Sequence, residues 1–265
     1  MRASLSLAAV VAVSCALGSA SAAVEPLAFL RGSTLAGPVG LRLIVAGTPP
    51  YVFDVDSGAV IPFGAARRSS TTVEVLPYGQ GALASVDPHD GPRLSLYLRA
   101  TGSERVATAV EAQSARKAWL RWAVARDGEG HLTLVDRSTW LRRRLPWKSI
   151  LGSLDGAYVE PHGPYVAIGF ADPAYPGPQQ AEDIFLLNRR SGSLIHVPGF
   201  PAQIELKRSS MAWTDDGRLV LLVRDAQQTR IGIYRPGART VALRRVVLPA
   251  ASGGSDQFVP IVAPR

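Results

Sequence analysis

The sequence predicts an all-β fold built from a repeated antiparallel unit. From position 24 onward, short runs of Val, Ile, Leu and aromatic residues alternate with Gly, Pro, Asp and Ser, and no long amphipathic helix is evident. Strands separated by turn residues at such short intervals are typical of sandwiches, barrels and propellers. The spacing of one recurring hairpin then favours the propeller.

The recurring hairpin consists of an apolar strand, a polar turn and a second strand. Successive copies are 38 to 51 residues apart, with centres at Phe53, Leu96, Leu134, Phe185 and Ile233. A period of about 40–50 residues that carries four short strands is the period of a propeller blade. We therefore predict five blades, with an irregular open sandwich as the competing architecture.

A further apolar strand precedes most of these centres. We predict such strands at 41–45, 82–86, 165–170 and 218–223. The third unit is the most irregular, because only 38 residues separate its centre from the previous one. Its apolar run at 118–125 fits either the first or the second strand of a blade.

The last apolar run, at 256–262, is predicted to pair with the first unit and close the ring. Closure is favoured because it removes the exposed sheet edges that promote aggregation. A six-bladed ring is the alternative, if the region around Phe29 and Leu30 combines with this terminal strand.

One segment resembles the blade signature of the TolB-type, WD-repeat-like propellers. In that signature, a Trp-Ser-Pro-Asp-Gly run ends the innermost strand and turns into the next. The corresponding segment here reads Trp213-Thr214-Asp215-Asp216-Gly217. Asp215 takes the place of the proline, and Gly217 is free to adopt the positive φ that a hairpin turn needs. The match is clear over one blade and diffuse elsewhere, so it implies the fold and no particular activity.

The amino terminus predicts export. Arg2 precedes an apolar stretch at 5–17, and Ala20 and Ala22 occupy the positions read by signal peptidase. We expect residues 1–22 to be a secretory signal and residues 23–265 to be a single propeller domain, secreted or in the cell envelope. Lipidation of Cys15 is the alternative, because residues 12–15 resemble a lipobox. No later run is long and apolar enough to predict a transmembrane segment.

The net charge of +8 comes mainly from arginine, since only three of the 29 basic residues are lysines. Guanidinium groups suit carboxylate and phosphate ligands. The arginines are dispersed along the sequence, with three adjacent pairs and one run of three, which favours solvated strand edges over a nucleic-acid surface. We expect no nucleic-acid partner.

The common sequence motifs of catalysis are absent. The chain has no G-x-S-x-G elbow, no H-E-x-x-H pair, no phosphate-binding glycine loop and no pair of cysteines. We therefore predict no catalytic residue, no metal site and no cofactor, with calcium as the one alternative considered.

A set of polar residues is predicted to share one face of the ring. In a propeller, the connections from second to third strands open on one face together with the connections between blades. The candidate binding residues on that face are Asp87, His89, Asp90, Asp127, Glu129, Asp172, Tyr175, Asp183 and Asp225. Aspartate is also an ordinary residue of hairpin loops, which is the competing explanation.

Two functions fit these observations. The first is an exported, non-catalytic module that engages a protein or envelope polymer through the loop-bearing face. The second is an extracellular glycan hydrolase or lyase that uses the ring of carboxylates, with or without calcium. An enzyme requires two carboxylates about 5–10 Å apart with one raised pKa. A binding module requires an exposed apolar or aromatic patch. The sequence favours the first and identifies neither the ligand nor the oligomeric state.

Overall fold

The computed structural model describes residues 27–64, 71–87, 91–129, 131–148, 153–172, 180–204, 211–225, 228–249 and 257–263. In chain order the elements are β1 (Ser33–Thr34), β2 (Leu41–Val45), β3 (Tyr51–Asp54), β4 (Val60–Pro62), β5 (Thr71–Tyr78), β6 (Gly81–Asp87), β7 (Leu94–Arg99), β8 (Glu104–Val106), α1 (Ala109–Trp119), β9 (Trp122–Arg126), β10 (His131–Asp136), β11 (Leu141–Lys148), β12 (Ser153–Val159), β13 (Tyr165–Asp172), β14 (Gln180–Asn188), β15 (Leu194–His196), β16 (Ala202–Ile204), β17 (Met211–Trp213), β18 (Leu219–Asp225), β19 (Gln228–Tyr234), β20 (Ala242–Val246) and β21 (Phe258–Val262).

The strands form five sheets arranged as the blades of a five-bladed β-propeller. Blade 1 is β21-β2-β3-β4, blade 2 is β5-β6-β7-β8, blade 3 is β9-β10-β11, blade 4 is β12-β13-β14-β15, and blade 5 is β17-β18-β19-β20. The short strand β16 pairs with β14, and β1 adds a parallel strand beside β20. The predicted fold class is confirmed.

The ring is closed by the end of the chain. β21 pairs antiparallel with β2, with Pro260 opposite Leu43. It also contacts β17 of blade 5 and β5 of blade 2, so it is the innermost strand of blade 1. The predicted pairing of the terminal run with the first unit is confirmed. The six-bladed alternative is wrong, because Phe29 instead bridges to Gln203 beside blade 4.

A helix replaces the innermost strand of blade 3. The first residue of β9, Trp122, lines the same cavity as Tyr78 and Val159, the last residues of β5 and β12. β9 therefore runs opposite to the innermost strands of its neighbours, as a second strand does. α1 precedes it and packs on β5. The short helix α1 was not predicted from the sequence. The predicted run at 118–125 is divided, because Ala118 and Trp119 end α1 and only residues 122–125 lie in β9, the second strand by direction.

Each interface between neighbouring units holds a buried apolar cluster. Phe63 is central between blades 1 and 2, Phe170 between blades 3 and 4, Tyr234 between blades 4 and 5, and Phe53 between blades 5 and 1. Ala115 of α1 packs on blade 2 beside Leu76 and Tyr97. Strands buried on both faces, such as β2, read as continuous apolar runs.

The described part of the chain contains no helix with the length and apolar character needed to cross a bilayer.

Candidate functional site

The two ends of the ring differ in their connections. On one end, which we call the loop face, the second strands of the blades end, at Asp87, Arg126, Asp172 and Asp225 among others. On the opposite end, the turn face, the innermost strands end and turn into the second strands. The residues predicted from sequence belong mainly to the loop face.

The described carboxylates of the loop face are used in local structure. Both carboxylate oxygens of Asp87 accept hydrogen bonds from Arg93, at 2.7 and 2.9 Å, and this pairing lowers the pKa of Asp87. Asp127 Oδ1 accepts from the backbone N–H groups of His131 and Glu129, which holds the β9–β10 turn and lowers the pKa of Asp127. Asp127 and Glu129 each place an oxygen 3.4 Å from His131 Nδ1.

Asp183 lies inside blade 4. It is only 1% exposed, and its Oδ1 is 2.6 Å from Nε2 of His196. The imidazole of His196 stacks on the ring of Phe185 with centroids 4.6 Å apart. Asp183 Oδ2 is buried and has no hydrogen-bond partner in the described residues. The structure therefore does not bring Asp183 together with Asp87 or Asp127.

The remaining predicted residues are placed only in part. Asp172 and Asp225 are the last residues of β13 and β18. His89, Asp90 and Tyr175, and the lipidation candidate Cys15, lie outside the described residues. Within the described ranges, no group of three or more His, Cys, Asp or Glu side chains is placed to hold a metal ion.

A cavity with a volume of about 1170 Å³ opens on the turn face. The last turn of α1 forms one wall, and the ends of β5 and β12 form others. Its lining includes four cations, Lys117, Arg121, Arg137 and Arg189, three aromatic residues, Tyr78, Trp119 and Trp122, and the titratable residues Glu160, His162 and Asp215. We call it the turn-face cavity.

Local sequence fixes the helix that forms the cavity wall. Thr108 caps α1 and forms a capping box with Glu111, which satisfies two backbone donors at the start of the helix. Arg105 pairs with Glu111 and, together with Thr108, lowers the pKa of that carboxyl to about 2. Arg116 pairs with Glu74 of β5 at 2.9 Å. These contacts place the last turn of α1, with Lys117 and Trp119, over the cavity.

Two guanidinium groups flank Trp122 at the cavity wall. The Cζ atoms of Arg121 and Arg189 lie 5.4 and 5.2 Å from the centroid of the Trp122 ring. Both distances are in the range of cation–π interactions. The chain thus holds two cations on one aromatic ring.

Arg121 is held by a carboxylate beneath the cavity. Its Nη2 and Nε donate to Asp136 at 3.0 and 3.2 Å, and the hydroxyl of Ser138 donates to the same carboxylate at 2.7 Å. The side chain of Asp136 is 5% exposed, whereas that of Arg121 is 50% exposed. The hydrogen bonds from Arg121 and Ser138 hold the pKa of Asp136 well below its usual range.

Arg189 has carbonyl partners instead. Its guanidinium donates to the carbonyl oxygens of Gly163 and Pro164. Burial lowers the pKa of Arg189, and repulsion from Arg121 lowers it further. Glu160 attracts Arg189, but its Oε2 accepts from the backbone N–H of Tyr165 at 3.1 Å. Arg189 forms no ion pair within the part of the chain that the structure describes.

The segment that resembles the TolB-type signature forms the blade 5 side of the cavity. Trp213 is buried and its Nε1 donates to the carbonyl oxygen of Tyr158 at 2.8 Å. Gly217 has a φ of 77°, as the sequence predicts. A Cβ atom at Gly217 would lie 2.7 Å from Oε1 of Glu160, so a larger residue is excluded there on two grounds. Asp215 faces the cavity, 3.7 Å from Nε2 of His162.

Three exposed apolar residues form what we call the apolar rim: Leu120 lines the cavity, and Trp140 and Leu141 follow the lining residue Ser138 in the chain. The β10–β11 turn that contributes Arg137 and Ser138 to the lining continues into Trp140 and Leu141, which are 69% and 66% exposed. Leu120, at the end of α1, is 46% exposed. Trp140 has a φ of 58°, the only positive φ of a non-glycine residue in the described ranges. Gly58 and Gly192 hold the matching position of the hairpin turns in blades 1 and 4 with a positive φ, so the turn requires this conformation and a bulky residue is strained in it.

Replacing Trp140 by glycine is expected to raise the free energy of unfolding by about 0.5–1 kcal/mol, because relief of the left-handed strain exceeds the entropic cost of glycine. Leu141→Gly is the control. Leu141 begins the strand β11, so this variant should lose about 0.5–1 kcal/mol of the free energy of unfolding. Urea denaturation of both variants makes the comparison. A loss of stability in Trp140→Gly would show that Trp140 is a structural residue.

A second cavity on the turn face, of about 710 Å³, lies between blades 5 and 1. Its charged residues are engaged with one another. Arg218 donates to Asp216 at 2.8 Å and to the carbonyl oxygen of Val39 at 2.8 Å, and Thr214 donates to Asp216 at 2.5 Å. These contacts connect the two blades.

Comparison with known proteins supplies similar folds only. No protein-family model matches the sequence, and no curated protein matches it. Among solved structures, TolB from Acinetobacter baumannii is 11% identical with a TM-score of 0.35, over 82% of this chain and 52% of that one. A Bacteroides ovatus xyloglucan PUL GH43B structure is 14% identical with a TM-score of 0.37, over 91% and 57%. A chain of the mitotic checkpoint complex is 14% identical with a TM-score of 0.33, over 94% and 91%.

These similarities concern architecture. The chain spans about half the length of the TolB structure. At such identities and TM-scores, none of the matches carries an argument about activity or ligand. The resemblance seen in the sequence is confirmed at the level of the propeller fold, through the five sheets described above.

Proposed function

We propose that this chain is an exported, non-catalytic propeller module that binds a protein or envelope polymer. The observation that carries the proposal is the turn-face cavity, which combines four cations, three aromatic residues and an exposed apolar rim. Exposed aromatic and arginine side chains around a concave site are typical of binding surfaces. Export rests on the predicted signal at residues 1–22.

The protonation of the carboxylates supports binding rather than glycan cleavage. A glycoside hydrolase needs a carboxyl group whose pKa is raised so that it stays protonated. Hydrogen bonds from Arg121, Arg93 and Arg218 instead help to lower the pKa of Asp136, Asp87 and Asp216. Seven described carboxylates have a lowered pKa: Asp54, Asp56, Asp87, Glu111, Asp127, Asp136 and Asp216.

The proposal is tested by measuring binding and bond cleavage on the same samples. The chain from residue 23 to 265 is incubated with immobilised polygalacturonate, xylan, peptidoglycan and an envelope-protein fraction. Retention, released reducing ends and unsaturated products are then measured. We expect retention on at least one of these materials with no cleavage of any. Cleavage, or retention on none, would overturn the proposal.

A charge-matched pair of variants locates the binding surface. Lys117 and Arg137 line the turn-face cavity, and neither pairs with a carboxylate among the described residues. Lys117→Gln combined with Arg137→Gln should reduce retention at least about tenfold. Arg142→Gln combined with Arg245→Gln removes the same charge from exposed positions outside the cavity and should change retention less than about twofold. Equal losses in both double variants would assign retention to net charge alone.

A further inference from the structure

We infer that Arg121, Trp122 and Arg189 form a subsite for a carboxylate side chain of an acidic peptide segment, and that the apolar rim takes an apolar side chain of the same segment. The inference rests on the proposed binding function and specifies the ligand. It concerns the turn-face cavity, on the opposite side of the ring from the residues predicted from the sequence.

The environment of Arg189 favours a carboxylate ligand. This guanidinium is half-buried, its Cζ lies 5.2 Å from the centroid of the Trp122 ring, and among the described residues it donates to the carbonyl oxygens of Gly163 and Pro164. A cation that is partly desolvated and lacks a carboxylate partner is costly, and a ligand carboxylate would offset that cost. Arg121, on the same ring, adds attraction for the same anion, although part of its charge is balanced by Asp136.

The cavity discriminates among anionic ligands. The ring of Trp122 is covered by two guanidinium groups, which disfavours stacking of a sugar on it. The rim offers the aliphatic side chains of Leu120 and Leu141 as well as Trp140. A uniformly acidic polysaccharide has no apolar side chain to place there, whereas a peptide carries carboxylates and apolar side chains a few ångströms apart. An acidic peptide therefore matches both halves of the site.

The exposed ring of Trp140 is the largest apolar group of the rim. Its backbone takes a positive φ of 58°, as Gly58 and Gly192 do at the same position of the corresponding turns in blades 1 and 4, so the turn accounts for this conformation. The side chain is 69% exposed, which leaves it available to an apolar side chain of a ligand.

The test uses labelled peptides and the chain from residue 23 to 265. A fluorescein-labelled peptide with the core Glu-Leu-Glu between Gly and Ser residues is titrated by fluorescence anisotropy. Its Gln-Leu-Gln counterpart and a labelled oligogalacturonate are the comparison ligands. We expect the acidic peptide to bind at least about tenfold more tightly than either, and its affinity to fall as salt is raised.

Four variants distinguish the subsite from a general charge effect. Arg189→Gln should weaken binding of the acidic peptide at least about tenfold, while Arg190→Gln, at the exposed neighbouring position, should change it less than about twofold. Trp140→Gly should weaken binding about threefold to tenfold. Thermal unfolding of each variant establishes that it is folded, and Arg189→Lys provides a second variant that keeps the charge but loses the planar stack.

Each outcome decides the inference. Equal affinity for the Gln-Leu-Gln peptide, or unchanged affinity in folded Arg189→Gln and Arg189→Lys, overturns the carboxylate subsite. Tighter binding of oligogalacturonate overturns the peptide assignment. If no peptide binds while an envelope polymer is retained without cleavage, the inference fails and the proposed function stands. Cleavage of a polymer overturns the proposed function whatever the peptides do.

Discussion

Phe258→Ala is expected to lower the free energy of unfolding by about 3–5 kcal/mol, the range for removing a buried aromatic ring. Phe258 is 4% exposed, lies opposite Val45 in the strand pair and belongs to the apolar cluster between blades 5 and 1. Its strand comes from the end of the chain, so the lost contacts are those that close the ring. Urea denaturation followed by circular dichroism measures the change.

The matched control lies on the same strand. Val262 is 37% exposed, so Val262→Ala removes side-chain atoms from β21 without opening a cavity in the core. Its effect should stay below about 1 kcal/mol. Comparable losses in the two variants would contradict the view that Phe258 closes the ring through its buried side chain.

The strands could be predicted because their sequences carry the pattern of buried sheets. The run at 41–45 was predicted with the bounds that β2 has, and the terminal run matches β21 to within two residues at its start. The five hairpin centres fall on β3, β7, β10, β14 and β19, which are all third strands once α1 is counted as the first element of blade 3. Third strands lie between two partners, so their residues are apolar on both faces and stand out in the sequence.

The helix α1 could not be recognised from apolar periodicity. Ala115 is its only buried residue, so the helix lacks the wide apolar stripe that identifies a helix in a sequence. The signal that was available is the capping box, Thr108 followed three residues later by Glu111. Its place in the ring follows from tertiary structure, because a helix there substitutes for a strand that the repeat otherwise predicts.

The candidate site could not be predicted from the sequence, for a different reason. Lys117, Arg121, Arg137 and Arg189 come from the end of a helix, the start of a strand and two hairpin turns. No local sequence pattern indicates that these four residues lie together, and each alone is typical of a solvated surface charge. The topology of the repeat predicts which connections share the loop face, but it could not show that Asp183 is buried within β14.

Asp136→Asn is expected to lower the free energy of unfolding by about 1.5–3 kcal/mol, the range for hydrogen bonds to a charged group. Asp136 accepts from Arg121 and from both the hydroxyl and the backbone N–H of Ser138. Because Arg121 is half exposed and its charge is screened by water, the effect should lie toward the lower end of this range. Asp87→Asn is the control, since that carboxylate and its partner Arg93 are both exposed, and its stability should match that of the unmodified chain.

The effect of Asp136→Asn should depend on pH. The pKa of Asp136 is lower in the folded chain than its value of about 3.9 in an unfolded chain. Its stabilising contribution is therefore complete above the unfolded pKa and is lost as the pH falls toward the folded pKa. The variant has no carboxyl group at this position and lacks that dependence. The difference in unfolding free energy between the two proteins should accordingly stay constant from about pH 7 to about pH 5 and narrow as the pH falls further to about pH 3. A difference that stays constant over this range would mean that Asp136 acts through its shape and neutral hydrogen bonds. The negative charge of Asp136 would then not be needed to position Arg121 over the cavity.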